Sequence, residues 1–220
     1  MAIADRRGRE KEQRRNTIID AAEKLFFSRG FDNVSMEDIA KEVELGKGTL
    51  YLYFKSKDSL FFAIIFRRWM DLGESITEKV SHGKTGLEKV QIMIRSLIEY
   101  ARENADYTDM FTTFWPQISL RMGEEDAQTM RETAMKYMPR VHNDVVEGIE
   151  DGSVRNDLDP RLLGIYVEMI TFYIITPNPS AKCSFEAQGI SYDTYVEMLP
   201  QFLCPAVARY SKKECGGQDQ

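Results

Sequence analysis

Residues Ser35–Lys57, SMEDIAKEVELGKGTLYLYFKSK, decide how this chain is read. Ser35 precedes an apolar stripe at helical spacing, Met36, Ile39, Ala40 and Val43. Asp38 stands three residues after Ser35, the spacing of a reciprocal N-cap, although Glu or Gln is the usual partner. Glu37 and Asp38 occupy a first turn, where the helix dipole favours negative charge. This short helix ends near Glu44. Another starts almost at once, at Gly46 or Lys47, and runs through Leu50 to Phe54. Two short helices joined by so tight a turn predict a helix-turn-helix.

The second of these helices has two kinds of surface. Leu45, Leu50 and Phe54 are its inward residues, leaving Lys47, Thr49, Tyr51 and Tyr53 to face outward at least in part. Lysine neutralises phosphate, hydroxyls donate to phosphate oxygens, and a threonine methyl or a tyrosine ring packs on thymine methyls. Gly46 and Gly48 remove side chains at the helix start and let the backbone approach a duplex. Lys55 and Lys57 flank the start of the next helix, capped by Ser56, where free N–H groups also attract phosphate. For any one of these residues, half-buried packing or a solvated lysine is the competing reading; the constellation as a whole favours a nucleic-acid surface.

Upstream, Ile18, Ala22, Leu25 and Phe26 recur on one face of a helix expected over Lys11–Arg29, stopped by Gly30, with Phe31 folding back onto that face. The first 15 residues carry six basic side chains against three acidic ones. Residues 1–57 hold 12 basic and 10 acidic residues, whereas the rest of the chain holds 17 and 25, so a net charge of −6 hides a basic arm on an acidic body. That distribution suits a protein touching phosphate at one end.

Downstream the sequence reads as helix after helix. Leu60 to Leu72 is too apolar for a helix with a wet face, and is expected to join two domains. After a break at Ser81–Lys84, Thr85 and Glu88 form a standard capping box. Short helices are expected at Asp106–Trp115 and Pro116–Met122, and a long one at Glu124–Glu150. A very apolar helix opens at Asp159-Pro160, with an N-cap followed by proline at the first helical position. Thr176–Gly189 reads as a loop. A last helix spans Ser191–Tyr210, bent or broken by Pro200 and Pro205, and the tail after Ser211 reads as frayed. The fold class is therefore all-α, with an N-terminal arm and helix-turn-helix domain at 1–55 and a second helical domain at 56–220. No run approaches the ~18 apolar residues of a membrane span, and Met1–Arg15 lacks the apolar centre of a secretory signal, so a cytoplasmic protein is expected. Cys183, Cys204 and Cys215 show no CxxC spacing, and neither His82 nor His142 sits in a metal motif, so neither a disulfide framework nor a metal site is expected.

The run LGKGTLYLYFKSKDSLF resembles the DNA-binding segment of the TetR/AcrR family of bacterial transcriptional regulators, and IIDAAEKLFFSRGFDNVSMEDIAKEV is similar to that family's first two helices. The resemblance covers roughly residues 14 to 65, departing at Glu44, where the family often has glycine, and at Gly46, where it often has a serine or threonine cap. It implies that Ser35 and Lys47 contact DNA at helix starts, that Thr49 and Tyr51 face the major groove, and that Tyr53 and Lys57 clamp the backbone; Gly48 and Lys55, read above from their chemistry, complete the expected site. It also implies a homodimer through the last two long helices, Pro160–Thr176 and Ser191–Tyr210, on a palindromic operator. Farther along, GSVRNDLDP resembles a common C-terminal pattern of the family.

The family's second half usually encloses a small-molecule pocket. Candidate walls are Phe111, Phe114, Trp115, Met130, Met135, Tyr137, Phe172 and Tyr173, an aromatic and methionine set that suits an apolar or amphipathic effector; ordinary core packing is the competing reading for each. Polar anchors are few beyond Arg95, Arg121 and His142. Asp106, Asp109 and Glu124–Asp126 read as solvated helix starts. No GxSxG, Gly-rich phosphate loop or Cys/His pair supports an enzyme. The expected function is a repressor released from its operator by an effector. The alternative is a DNA-binding regulator without a small-molecule ligand, controlled by abundance or by a protein partner.

Overall fold

The computed structural model describes residues 2–175 and 179–210, and within these the side chains other than those of 2–5, 134, 136–139, 174, 175 and 179–182. Ten helices follow one another among the described residues: α1 (Ala2–Arg29), α2 (Met36–Glu42), α3 (Lys47–Tyr53), α4 (Lys57–Val80), α5 (Gly86–Glu103), α6 (Ala105–Ser119), α7 (Glu124–Glu150), α8 (Pro160–Ile175), α9 (Pro179–Glu186) and α10 (Tyr192–Val207). The extended pairing among the described residues is a lone bridge between Val154 and Ala208. The fold is all-α, as expected.

The described residues fall into two compact units, one drawn from 1–71 and 106–132, the other from 72–105 and 133–220. The division between these units falls inside α4, between Asp71 and Leu72, and α6 belongs with the first. Aromatic packing is the reason. Phe31 meets Phe26, Phe61 and Phe114 with ring centroids 5.1, 5.1 and 5.0 Å away, while Trp69 of α4 packs on Phe111 and Trp115 of α6 at 5.4 and 5.7 Å. Ring pairs at these separations are each worth about 0.5–1.5 kcal/mol beyond their burial. Glu23, 8% exposed on α1, is held by Arg67 at 2.5 Å and Arg68 at 2.6 Å. Its buried charge is thereby paired on two sides, which tethers α4 to α1.

Gly30 ends α1 with φ 81, and Phe31 turns back to pack on Phe26, as expected. The helix begins earlier than Lys11, because the basic arm consists largely of strong helix formers, with Arg6 and Glu10 paired at 3.0 Å one turn apart. Pro116 does not divide the next region: α6 is continuous from Ala105 to Ser119, with Phe111 and Trp115 stacked on the turn that precedes the proline. It stops short of Met122. The loop expected over Thr176–Gly189 contains α9, with Pro179 in the first turn where a missing N–H costs nothing, and closes at Gly189 (φ 70). Pro200 and Pro205 are likewise accommodated within one helix, α10, capped by Ser191, whose hydroxyl accepts from the Thr194 amide at 3.1 Å.

The second unit has its own core, in which Val90, Ile94, Val145, Val154, Val167 and Val207 are buried. Gly86 of α5 and Gly148 of α7 cross so closely that a Cβ on Gly86 would lie 2.1 Å from the Gly148 amide. Asp151 and the stretch GSVRNDLDP that follows it buckle this crossing. Asp151 and Ser153 accept from the Gly86 and Leu87 amides at 2.8 and 3.1 Å, satisfying the free N–H groups at the start of α5. Val154 plugs the core against Gly148, and Arg155 binds Asp157 and the Ala206 carbonyl. Asp159 caps α8 by accepting from the Arg161 amide at 2.9 Å, as its place before Pro160 implied.

Candidate nucleic-acid interface

Ser35 caps α2 as expected, even with aspartate as its partner: the Asp38 amide donates to the Ser35 hydroxyl at 3.2 Å, and the Ser35 amide donates back to the Asp38 carboxylate at 2.9 Å. The Ser35 hydroxyl bond, first, and the Ser35 amide bond hold the Asp38 carboxyl below its usual range. The turn after α2 is a Schellman motif. Leu45 N–H reaches Ala40 O at 2.8 Å and Glu44 N–H reaches Lys41 O at 3.1 Å, with Glu44 itself in the left-handed region at φ 54. That conformation is the physical reason a glycine is favoured there. Gly46 then opens α3 without a side-chain bond.

Buried Leu50 and Phe54 seat α3 on its neighbours. At about 100° per residue, Leu52 stands directly opposite them, with Gly48 and Thr49 about 40° and about 60° to either side of it. Gly48 and Thr49 are exposed, and a Cβ on Gly48 would meet nothing within 4 Å. Leu52 is 74% exposed. Tyr51 and Tyr53 flank this face half-buried. Taking alternate residues, 47, 49, 51 and 53, passes over Leu52; counting by the helical period from Leu50 finds it.

Four of the expected residues, Ser35, Lys47, Tyr51 and Lys57, line one open groove of ≈ 490 Å³ together with Glu37. Lys47 is bonded to Glu37 across the two helices. That bond lowers the pKa of Glu37 and raises that of Lys47, so the pair stays ionised. Lys57 is tied into the fold, because its Nζ donates to Phe31 O at 2.8 Å and sits 4.2 Å from the Phe31 ring centroid. Lys55 is exposed, one residue beyond Phe54. From the basic arm, Arg15 lies over the Phe54 ring at 5.1 Å, joining α1 to the end of α3. Neither Glu37 nor Arg15 was among the expected site residues, since their partners are 10 and 39 positions away in sequence.

The residues expected to wall an effector pocket are not gathered within one unit. Phe111, Phe114, Trp115 and Met130 belong to the first, and Phe172, Tyr173 and Met135 to the second, where all three are exposed; the Tyr137 side chain lies outside the described residues. Phe111, Phe114 and Trp115 are engaged in the aromatic packing of α4 and α6. Among the described residues no group of three or more His, Cys, Asp or Glu could hold a metal ion, and no helix is long and apolar enough to cross a membrane. Cys183 and Cys204 are free thiols; Cys215 lies outside the described residues.

Residues 18–64 match the family of bacterial regulatory proteins, tetR family. The chain is 25% identical over 173 residues to the fatty acid metabolism regulator protein of Bacillus subtilis, a match covering 76% of this chain and 87% of that one. In structure it is similar to a TetR/AcrR-family transcriptional regulator of Thermobifida fusca, with a TM-score of 0.68, 23% identity and coverage of 87% and 97% of the two chains. It is also similar to the transcriptional regulator FadR of Bacillus subtilis in complex with stearoyl-CoA, with a TM-score of 0.62, 21% identity and coverage of 87% and 98%.

Proposed function

We propose that this chain, which belongs to the TetR family of transcriptional regulators, represses transcription by binding a palindromic operator as a homodimer and is released by an apolar or amphipathic small molecule. The single observation carrying the DNA-binding part is the outward face of α3, with Gly48 and Thr49 open, Lys47 and Tyr51 in the adjoining groove, and Lys55 at the far end. In this reading Ser35, Lys47, Lys55 and the tyrosine hydroxyls of Tyr51 and Tyr53 meet phosphate, Gly48 and Thr49 face base edges, and Lys57 supports the α1–α2 turn from which Ser35 projects.

Homodimerisation is supported by a stripe on α8 at helical spacing, Leu162, Ile165, Tyr166, Met169, Phe172 and Tyr173, all exposed in the single chain, with Met198 and Phe202 exposed on α10. So many large apolar groups on two helices suit an interface between copies, and two-fold symmetry would double the half-site. The effector part takes support from the fold, since FadR of similar fold holds stearoyl-CoA. A second reading, a regulator without a small-molecule ligand, is favoured by the packing of Phe111, Phe114 and Trp115 against one another and their neighbours.

The test is selection of bound duplexes from a random pool by the full chain, followed by sedimentation of the complex. A recovered palindrome bound by two chains supports the reading; no enrichment, or a single chain on an asymmetric site, overturns it. A panel of acyl-CoA thioesters, fatty acids and aromatic compounds then separates the two versions. Release of DNA with a rise in Tm supports an effector, and no effect from any of them leaves the ligand-free regulator.

A further inference from the structure

We propose that Leu52 is a sequence-reading residue, whose side chain contacts the C5-methyl of a thymine in each operator half-site; this rests on the DNA-binding reading above. An exposed leucine carries no message by itself, since scattered apolar residues are normal on protein surfaces. The position of this one does. Leu52 lies about 200° from buried Leu50 and from buried Phe54, at the centre of the surface that α3 turns outward. Gly48 and Thr49, four and three residues before it, share that surface. With no side chain on Gly48 and open space where one would be, the helix backbone is able to enter a groove deeply, so the group projecting farthest from its centre is Leu52.

The chemistry then restricts the target. A leucine side chain neither donates nor accepts a hydrogen bond. Along the major groove, adenine, guanine and cytosine present amino, carbonyl or ring-nitrogen groups, whereas thymine adds a methyl group that an apolar side chain can cover. A protein partner fits this surface poorly: one leucine ringed by glycine, threonine and lysine is far smaller than the roughly 800 Å² per side of a stable protein interface. The cations at the two ends of α3, Lys47 and Lys55, complement a polyanion.

The experiment replaces each thymine of the selected operator, one symmetric pair at a time, by deoxyuridine, which removes only the methyl group. Affinity is measured at fixed salt for the wild-type chain and for Leu52→Ala. Covering one methyl is worth about 0.8 kcal/mol, or about fourfold per half-site and roughly fifteenfold for both. The expected result is a loss of that size at one symmetric position for the wild type, absent in Leu52→Ala, whose Tm matches the wild type because the side chain is in solvent. The proposal is overturned if no uracil substitution weakens the wild type, if the selected half-site has no thymine, or if the penalty persists in Leu52→Ala. Failure to select any duplex instead removes the DNA-binding reading itself, and the proposal with it.

Discussion

Lys57 binds Phe31 twice, through a 2.8 Å hydrogen bond from its Nζ to the Phe31 carbonyl and by lying 4.2 Å from the centre of the Phe31 ring. The start of α4 is thereby fastened to the turn between α1 and α2, and through Phe31 to the rings of Phe26, Phe61 and Phe114. Lys55, two residues earlier, is exposed. Two lysines of one short KSK run therefore play different parts. Lys57→Met should lower stability by about 1–2 kcal/mol through the lost cation–π contact and charged hydrogen bond, and any loss of DNA affinity should track the loss of folded protein. Lys55→Ala should leave Tm unchanged, weaken binding, and reduce the salt slope by roughly one unit per lost phosphate contact. Thermal melts beside salt titrations check both; equal Tm values for the two variants would contradict the assignment.

If Lys47 meets phosphate as proposed, Glu37 competes for it, because its carboxylate holds the Lys47 ammonium across the groove between α2 and α3. Glu37→Gln is expected to raise affinity about two- to fivefold at low salt by removing a charge that repels phosphate. Lys47→Ala is expected to lower affinity and flatten the salt dependence. If Glu37→Gln binds more weakly than the wild type, the pair instead pre-positions Lys47.

Glu44 is strained. It holds φ 54 at the position in the Schellman turn that glycine occupies at no steric cost. A left-handed non-glycine residue costs about 1–2 kcal/mol, and the greater freedom of glycine in the unfolded chain offsets about 0.4–1 of it. Glu44→Gly should therefore stabilise the protein by about 0.5–1 kcal/mol in denaturant unfolding. Glu44→Val, β-branched in the same conformation, should destabilise it; the reverse order would remove the strain argument.

Acid should loosen the α5–α7 buckle through Asp151. Its carboxylate accepts from Ser153 and from the Gly86 amide, and these bonds, that of the Ser153 side chain first, lower its pKa in the folded state. The unfolded chain then binds the proton more readily, so this contribution is fully present above the usual carboxylate pKa of about 4 and is lost as pH falls through the lowered value. Asp151→Asn should be less stable at pH 7 and show a flatter fall in stability toward acid. Denaturation curves collected across that range test it, parallel pH profiles for the two proteins being the contrary outcome.

The helix-turn-helix is legible in the sequence because its signals are local. Ser35 and Asp38 lie three residues apart, Gly30 is followed by Phe31, and Leu50 and Phe54 are four apart on α3, so short-range geometry determines caps, stops and the buried face. The outward face is harder to read, since taking every second residue passes over Leu52. Proline misleads at Pro116, Pro200 and Pro205: a lost N–H and a steric penalty favour a break locally, yet α6 runs past Pro116 to Ser119 and α10 spans both Pro200 and Pro205.

The sequence by itself determined an all-helical chain, the place of the helix-turn-helix and the caps that start α2, α4, α5 and α8, because each depends on residues within one or two turns of each other. Only the tertiary structure decided that α6 belongs with the helix-turn-helix unit, that Lys57 serves Phe31, that Lys47 is held by Glu37, and that Gly86 and Gly148 let two helices touch. Those facts depend on residues brought together from 10 to more than 80 positions apart, and no periodicity records which distant side chain will complete a ring cluster, pair a charge or fill the space a glycine leaves open.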